Sequence, residues 1–241
     1  MCGCARAAEL RAPPLIFAVL VALLGGCAER EIGPPPVEAR GPAAFPEAHY
    51  RRLLAQGRPV FRVDTARSSV VIEVRRAGTL ARFGHDHVVA SRDLAGYVAP
   101  NEGRADLRLP LDALVVDDPA LRAQAGLDTT PSAEDIAGTR RNMLEKVLEA
   151  DRFPDALIAV SDLGPGTGTR RLRVTVTLHG ATVPTDVAAR VDMSSDEITV
   201  SGTLALDQSS FGIAPFSILG GAIAVQDRVT MHFQIRARRI V

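Results

Sequence analysis

The chain has 241 residues, with 28 basic and 28 acidic side chains and therefore no formal net charge, and it is 46% hydrophobic and only 4% aromatic, with no Trp. Near-neutrality removes the electrostatic basis for binding nucleic acid or for a polybasic membrane patch. Its only cysteines are Cys2, Cys4 and Cys27, which excludes a disulfide framework, a Cys-based zinc site and a thiol nucleophile from everything that follows them.

Residues 1–26 have the layout of a secretory signal: Arg6 and Arg11, an apolar run from Leu15 to Leu24, then small residues. The run is shorter than the ~20 residues that span a bilayer. Leu24-Gly25-Gly26-Cys27 resembles the bacterial lipobox, which implies cleavage before Cys27 and acylation of that cysteine as the mature amino terminus. The alternative is an ordinary signal in which Cys27 is incidental. Ala28, a residue other than Asp at that position, points to the outer membrane. The mature chain would keep 26 basic and 27 acidic residues.

Ala28 to about Pro46 is rich in proline (Pro34, Pro35, Pro36, Pro42, Pro46) and poor in apolar residues, a composition that favours an extended spacer. The lipidated amino terminus and tether are placed at residues 27–56 and a single domain at 57–241, long enough to bury a sizeable core.

Most of that domain reads as strands. Val70, Ile72 and Val74 alternate with polar or outward positions, as do Leu172, Val174, Val176 and Leu178; Ile198, Val200, Leu204 and Leu206; and Val229, Met231, Phe233 and Ile235. Gly202 falls on the apolar face of its strand and suggests a bulge. Gly164-Pro165-Gly166-Thr167-Gly168 marks a turn. Two-faced strands joined by such turns predict an antiparallel sheet closed into a barrel or folded into a sandwich.

One helix interrupts the pattern. Ile136, Met143, Leu144, Val147 and Leu148 share a helical face, with Thr130-Pro131 as the start or Ser132 to Asp135 as an alternative capping box, and with the end before Phe153-Pro154. It would cover an open barrel end.

Ionisable side chains concentrate at Phe83-Gly84-His85-Asp86-His87-Val88-Val89. In an extended chain His85 and His87 share a face with Phe83 and Val89, about 6.6 Å apart at a rise of ~3.3 Å per residue, with Asp86 opposite. Three readings stand: a Gly-His-Asp bend satisfied by local backbone, a pair meeting the polar head of a ligand, or two ligands of a metal site lacking a visible third. His179 and His232 lie on polar strand faces and are expected to point to solvent, and His49 lies near the tether. No nucleophile elbow, His-Glu-x-x-His, calcium loop or phosphate-binding Gly-Lys pair occurs, so no enzyme is expected.

From Phe61 to about Arg238 the sequence resembles the YceI-like family of lipocalin-like barrels. The resemblance rests on Phe61-Arg62-Val63-Asp64 leading through Ser68-Ser69 into an apolar strand, Phe153-Pro154 before Leu157-Ile158-Ala159-Val160, Gly180 to Pro184, and Phe211-Gly212-Ile213. It implies a mainly β protein: a closed antiparallel barrel of about eight strands with one covering helix, extracytoplasmic, holding an isoprenoid or another long amphiphile. No cofactor beyond such a lipid is implied. Gly84 to His87 departs from the family pattern, in which a Gly-x-Phe-like strand is common. The expected ligand-binding set is Val70, Ile72, Val174, Val176, Val200, Leu204, Met231 and Phe233 along the interior, with His85, His87 and Phe83 at a polar head. The competing readings are a metal site on His85 and His87, and a structural envelope protein with a filled barrel. The expected location is the cell envelope, facing the periplasm through the Cys27 anchor.

Overall fold

A computed structural model describes residues 45–240. The signal segment, Cys27 and most of the proline-rich stretch lie outside the described residues.

Eight strands close into an antiparallel barrel: β1 (Phe61–Val63), β5 (Ala95–Ala99), β6 (Arg104–Pro110), β8 (Asp155–Ser161), β9 (Gly168–Leu178), β10 (Ala181–Met193), β11 (Glu197–Asp207) and β14 (Arg228–Arg239), in that order round the ring. Closure runs through β1, where Phe61 pairs with Val98 on one side and Arg239 on the other. At its other end β14 exchanges β1 for β2 (Ser69–Val74), which carries β4 (His87–Ser91) and then β7 (Val115–Val116). A second, three-stranded sheet joins β3 (Arg76–Ala77), β13 (Ile223–Val225) and β12 (Ser217–Ile218).

The period-two pattern explains the walls. Along β9, Leu172, Val174 and Val176 are buried while Arg171 and Arg173 are exposed, as one-sided burial of a pleated sheet requires. The β9–β10 hairpin turns through His179 (φ 52°) and Gly180 (φ 77°), both left-handed, as a two-residue turn matching the strand twist demands. Gly202 makes no bulge against β14, with which β11 keeps unbroken register through it, and it is the last β11 residue paired with β10. A Cβ there would lie 2.9 Å from the Phe233 ring and 3.0 Å from the Ala188 carbonyl oxygen, so its bareness makes room for that ring.

The helices differ in number and position from the expectation. α1 (Glu47–Ala55) occupies the end of the stretch assigned to the tether. Its Tyr50 and Leu53 are buried against Val60 and Ala99, and Tyr50 Oη donates to Asp106 at 2.5 Å, with Arg104 Nε on the same carboxylate oxygen at 2.6 Å. α2 (Pro119–Gln124) is capped by Asp118, whose carboxylate accepts from the amides of Ala120 and Leu121. α3 (Ala133–Asn142) starts at the Ser132–Asp135 capping box, not at Thr130-Pro131. The box satisfies two amides reciprocally, which proline cannot do. After Asn142 the chain widens into one π turn, Met143–Val147, and ends at Glu149, whose φ is 46°. Ile136, Met143, Leu144 and Leu148 pack on a cluster containing Leu109, Leu111, Leu114 and Val116, so this segment does cover the wall beside β7.

Candidate functional site

The barrel encloses a cavity of about 190 Å³ whose lining side chains are all Ala, Val, Leu, Ile, Met or Phe. That is space for roughly a dozen waters, yet a water needs two to four polar partners and this wall provides no polar side chain. Val70, Ile72, Val174, Val176, Val200, Leu204, Met231 and Phe233 all line it, with Leu148 of the π-turn segment and Leu178 of the hairpin.

The two barrel ends differ. Where β1, the end of β10 and the start of β11 meet, Leu163, Val191, Ile198 and Ala237 are essentially fully buried and α1 packs outside. At the opposite end Leu206, Phe211 and Ile213 are buried on one side, while the inward residues Ile72, Val74, Met231 and Phe233 beside β2 are only half-buried. One end is therefore packed shut, and the less covered side of the barrel is the β2 side of the other, hereafter the open end.

His85, His87 and Phe83 do not line the cavity. Phe83 belongs to a single 3₁₀ turn, Ala81–Phe83, and is 63% exposed with the Arg82 guanidinium 4.6 Å from its ring centre. Of the three readings, the chain takes the bend: Asp86 accepts the Arg76 amide at 2.7 Å and the Arg76 guanidinium donates to the Gly84 carbonyl at 3.1 Å, folding the chain before β4 begins at His87. The two imidazoles nevertheless meet edge to face at 6.3 Å. His87 pairs with Val74, one inward step beyond the Ile72–Val89 pair, and so sits at the rim of the open end.

Its partner was not foreseen. His87 Nδ1 donates to Asp117 at 2.6 Å, and the same carboxylate accepts from the Val88 amide at 3.0 Å and from Arg122 Nη1 at 2.5 Å. Arg122 also donates to the carbonyls of Asp86 and Thr129 and to the Thr129 hydroxyl. Burial alone would raise the Asp117 carboxyl, but the bonds from His87, Val88 and Arg122 hold it below its ordinary value. The only sequence signal was Asp117-Asp118-Pro119, which reads as a helix cap. His85 Nδ1 is buried without a hydrogen-bond partner. Among the described residues no three His, Cys, Asp or Glu side chains are grouped to hold a metal.

The other histidines divide. His232 lies on the outer wall near Glu73 and Thr203. His179 does not point freely to solvent, because its turn lays the ring on Phe153, with Nε2 3.1 Å from Glu149 and Nδ1 3.4 Å from the Phe211 carbonyl. His49 pairs with Glu102 at 2.7 Å.

The family model for the YceI-like domain matches residues 61–237. Among solved structures, a polyisoprenoid binding domain from Saccharophagus degradans is similar at 15% identity, covering 74% of this chain and 97% of its own, with a TM-score of 0.54. BcnA of Burkholderia cenocepacia is similar at 18% identity over 72% of this chain and 98% of its own, with a TM-score of 0.51. No functionally curated protein matches.

Proposed function

The chain belongs to the YceI-like domain family, and we propose that it is an extracytoplasmic, lipid-anchored protein that holds a long amphiphile of isoprenoid type inside its barrel. The observation that carries this reading is the cavity itself: a space walled only by apolar side chains, sealed at one end. Each CH₂ moved from water into such a space contributes ~0.8 kcal/mol. Aliphatic walls suit a flexible chain better than a stacked ring. The Saccharophagus neighbour, described as polyisoprenoid binding, lends support at the level of the fold. Anchoring rests on the Leu24-Gly25-Gly26-Cys27 pattern. The polar head of the ligand is placed at the rim, where His85 retains an unpartnered ring nitrogen beside His87.

A Val176→Trp variant tests the cavity, because it fills the interior and adds the sole indole of the chain. Wild type purified from membranes is expected to release lipid into organic solvent and, once stripped, to bind dansyl-farnesol. The variant should bind that probe at least about tenfold more weakly, each excluded CH₂ costing ~0.8 kcal/mol. A wild type that carries no lipid and never saturates with the probe would overturn the reading in favour of a filled, structural barrel.

A further inference from the structure

Two insertions leave the open end of the barrel side by side: residues 75–86 between β2 and β4, and residues 208–227 between β11 and β14. They are joined as one flap. β3 pairs with β13, the Leu80 amide donates to the Ala222 carbonyl at 2.7 Å, and a Cβ on Gly78 would meet that same carbonyl oxygen at 2.4 Å, so the two backbones are in close contact. The 3₁₀ turn ending in Phe83 lies against the same strand, since a Cβ on Gly84 would meet Ile223 at 3.3 Å. Ile223 is the cross-strand partner of Ile218.

Three large apolar side chains on this flap face water: Phe83, Ile218 at 47% exposure and Leu219 at 70%. Leu219 stands at the apex with φ 53°, followed by Gly220 and Gly221, also at positive φ. A left-handed leucine costs about 1 kcal/mol or more, and nothing within the described chain repays it by covering that side chain. The flap carries Arg75, Arg76 and Arg82 against Asp86 and Asp227. Arg75 is paired with Glu73 and Asp86, and Arg76 lies within 4 Å of Asp86 and Asp128, which leaves Arg82, beside Phe83, as the flap's uncommitted cation among the described residues.

We propose that the flap is a membrane-docking surface: Phe83, Ile218 and Leu219 enter the apolar edge of a bilayer while Arg82 meets anionic head groups, so that the open barrel end faces the lipid from which the ligand is drawn. The chemistry selects this occupant. Exposed apolar tips beside an uncommitted arginine, Arg82, fit the interfacial zone, where side chains of this kind partition. A ligand soluble only in a bilayer would also cross from lipid to cavity without entering water, which is the part of the inference that rests on the proposed binding function. About 18 residues separate Cys27 from Phe45, a contour of roughly 55 Å at ~3.1 Å per residue. An eleven-residue strand measures roughly 36 Å, so an anchor at Cys27 leaves either barrel end able to meet the membrane.

The test uses the full anchored protein in vesicles of phosphatidylethanolamine and phosphatidylglycerol. Since the chain has no Trp, Leu219→Trp reports on the apex alone, and Thr203→Trp on the outer wall serves as control. The apex indole is expected to shift to shorter wavelength and to be quenched by lipids brominated near the head group, with the control unaffected. Leu219→Asp should slow transfer of dansyl-farnesol from vesicles to the barrel about tenfold, the scale of one lost leucine insertion, with unchanged affinity for probe delivered from detergent. An apex indole as accessible to iodide with vesicles as without them overturns docking. A blue shift that depends on protein concentration without lipid also overturns it, in favour of a second copy. The quenching signal needs no ligand, so a barrel that fails to bind farnesol would sink the proposed function and leave docking to stand or fall by itself.

Discussion

Asp117→Ala should destabilise the protein by about 4 kcal/mol. Removing one partner of a buried ion pair costs about 3–5 kcal/mol, and both the Asp117 and Arg122 side chains are almost wholly out of solvent. Arg122 keeps three oxygen partners after the change, which places the loss near ~3 kcal/mol, the lower end of that range. Asp117 also sits at φ 56°, where alanine adds ~1 kcal/mol that aspartate offsets by local bonding. With a urea slope of ~2 kcal/mol per molar, the midpoint should fall by roughly 2 M at pH 7. The pH dependence has a fixed sign. The folded carboxyl titrates below its unfolded value of 3.8, so its stabilisation is fully present above that value and is lost as pH falls through the lower folded one. The gap between wild type and variant should therefore narrow only below pH 3.8. A loss under ~1 kcal/mol at pH 7, within the range of an exposed pair, would refute the claim that this carboxylate locks the rim.

Two further changes separate wall from rim. Tyr50→Phe removes the hydroxyl that pins α1 to Asp106 and should cost ~1.5–3 kcal/mol, the worth of a hydrogen bond to a charged group, read as a lower unfolding midpoint. Burial, followed by the Asp106 carboxylate, pushes the Tyr50 phenol far above its ordinary 10.0. Its stabilisation is thus complete below that value and declines as pH rises beyond it, so a wild-type protein no more alkali-sensitive than Tyr50→Phe would contradict the assignment. His85→Phe should leave the urea midpoint unchanged or raise it, because it deletes a buried nitrogen whose missing partner costs ~1–3 kcal/mol, while weakening retention of dansyl-farnesol severalfold. Equal retention would remove His85 from the ligand site.

The walls were legible because each long strand carries its own record. The alternation through Val174 and Val176, or Met231 and Phe233, needs no distant residue to be read, and a barrel interior simply collects such faces. α1 was not legible: Glu47–Ala55 is only nine residues long and follows directly on the proline-rich stretch, and part of what holds it is a hydroxyl meeting a carboxylate 56 positions away. The His run was left open among three readings for a similar reason. Local alternation could not choose the bend, because Asp86 turns back to the Arg76 amide and His87 is oriented by Asp117, which lies 30 residues on. Periodicity reports which face a side chain shares, and it is silent about polar contacts between elements. Such contacts decide where α1, α2 and the rim come to rest.

That silence matters most at the open end, where the polar rim and the apolar interior adjoin. Asp117 spends its acceptors on His87, Val88 and Arg122, and Arg122 spends its donors on Asp86, Thr129 and Asp117. A network so fully satisfied has little left to offer a ligand and acts instead to fix the end of β4, the start of α2 and the base of the flap as one unit. The unpartnered Nδ1 of His85 is the exception. Since that nitrogen is buried and His85 stands off the cavity wall, a polar head would reach it only after a shift of the imidazole, whose gain is a partner for an otherwise unsatisfied group. Under the proposed function the apolar chain behind that head would supply most of the affinity, with the aliphatic wall retaining the ligand and the rim setting its orientation.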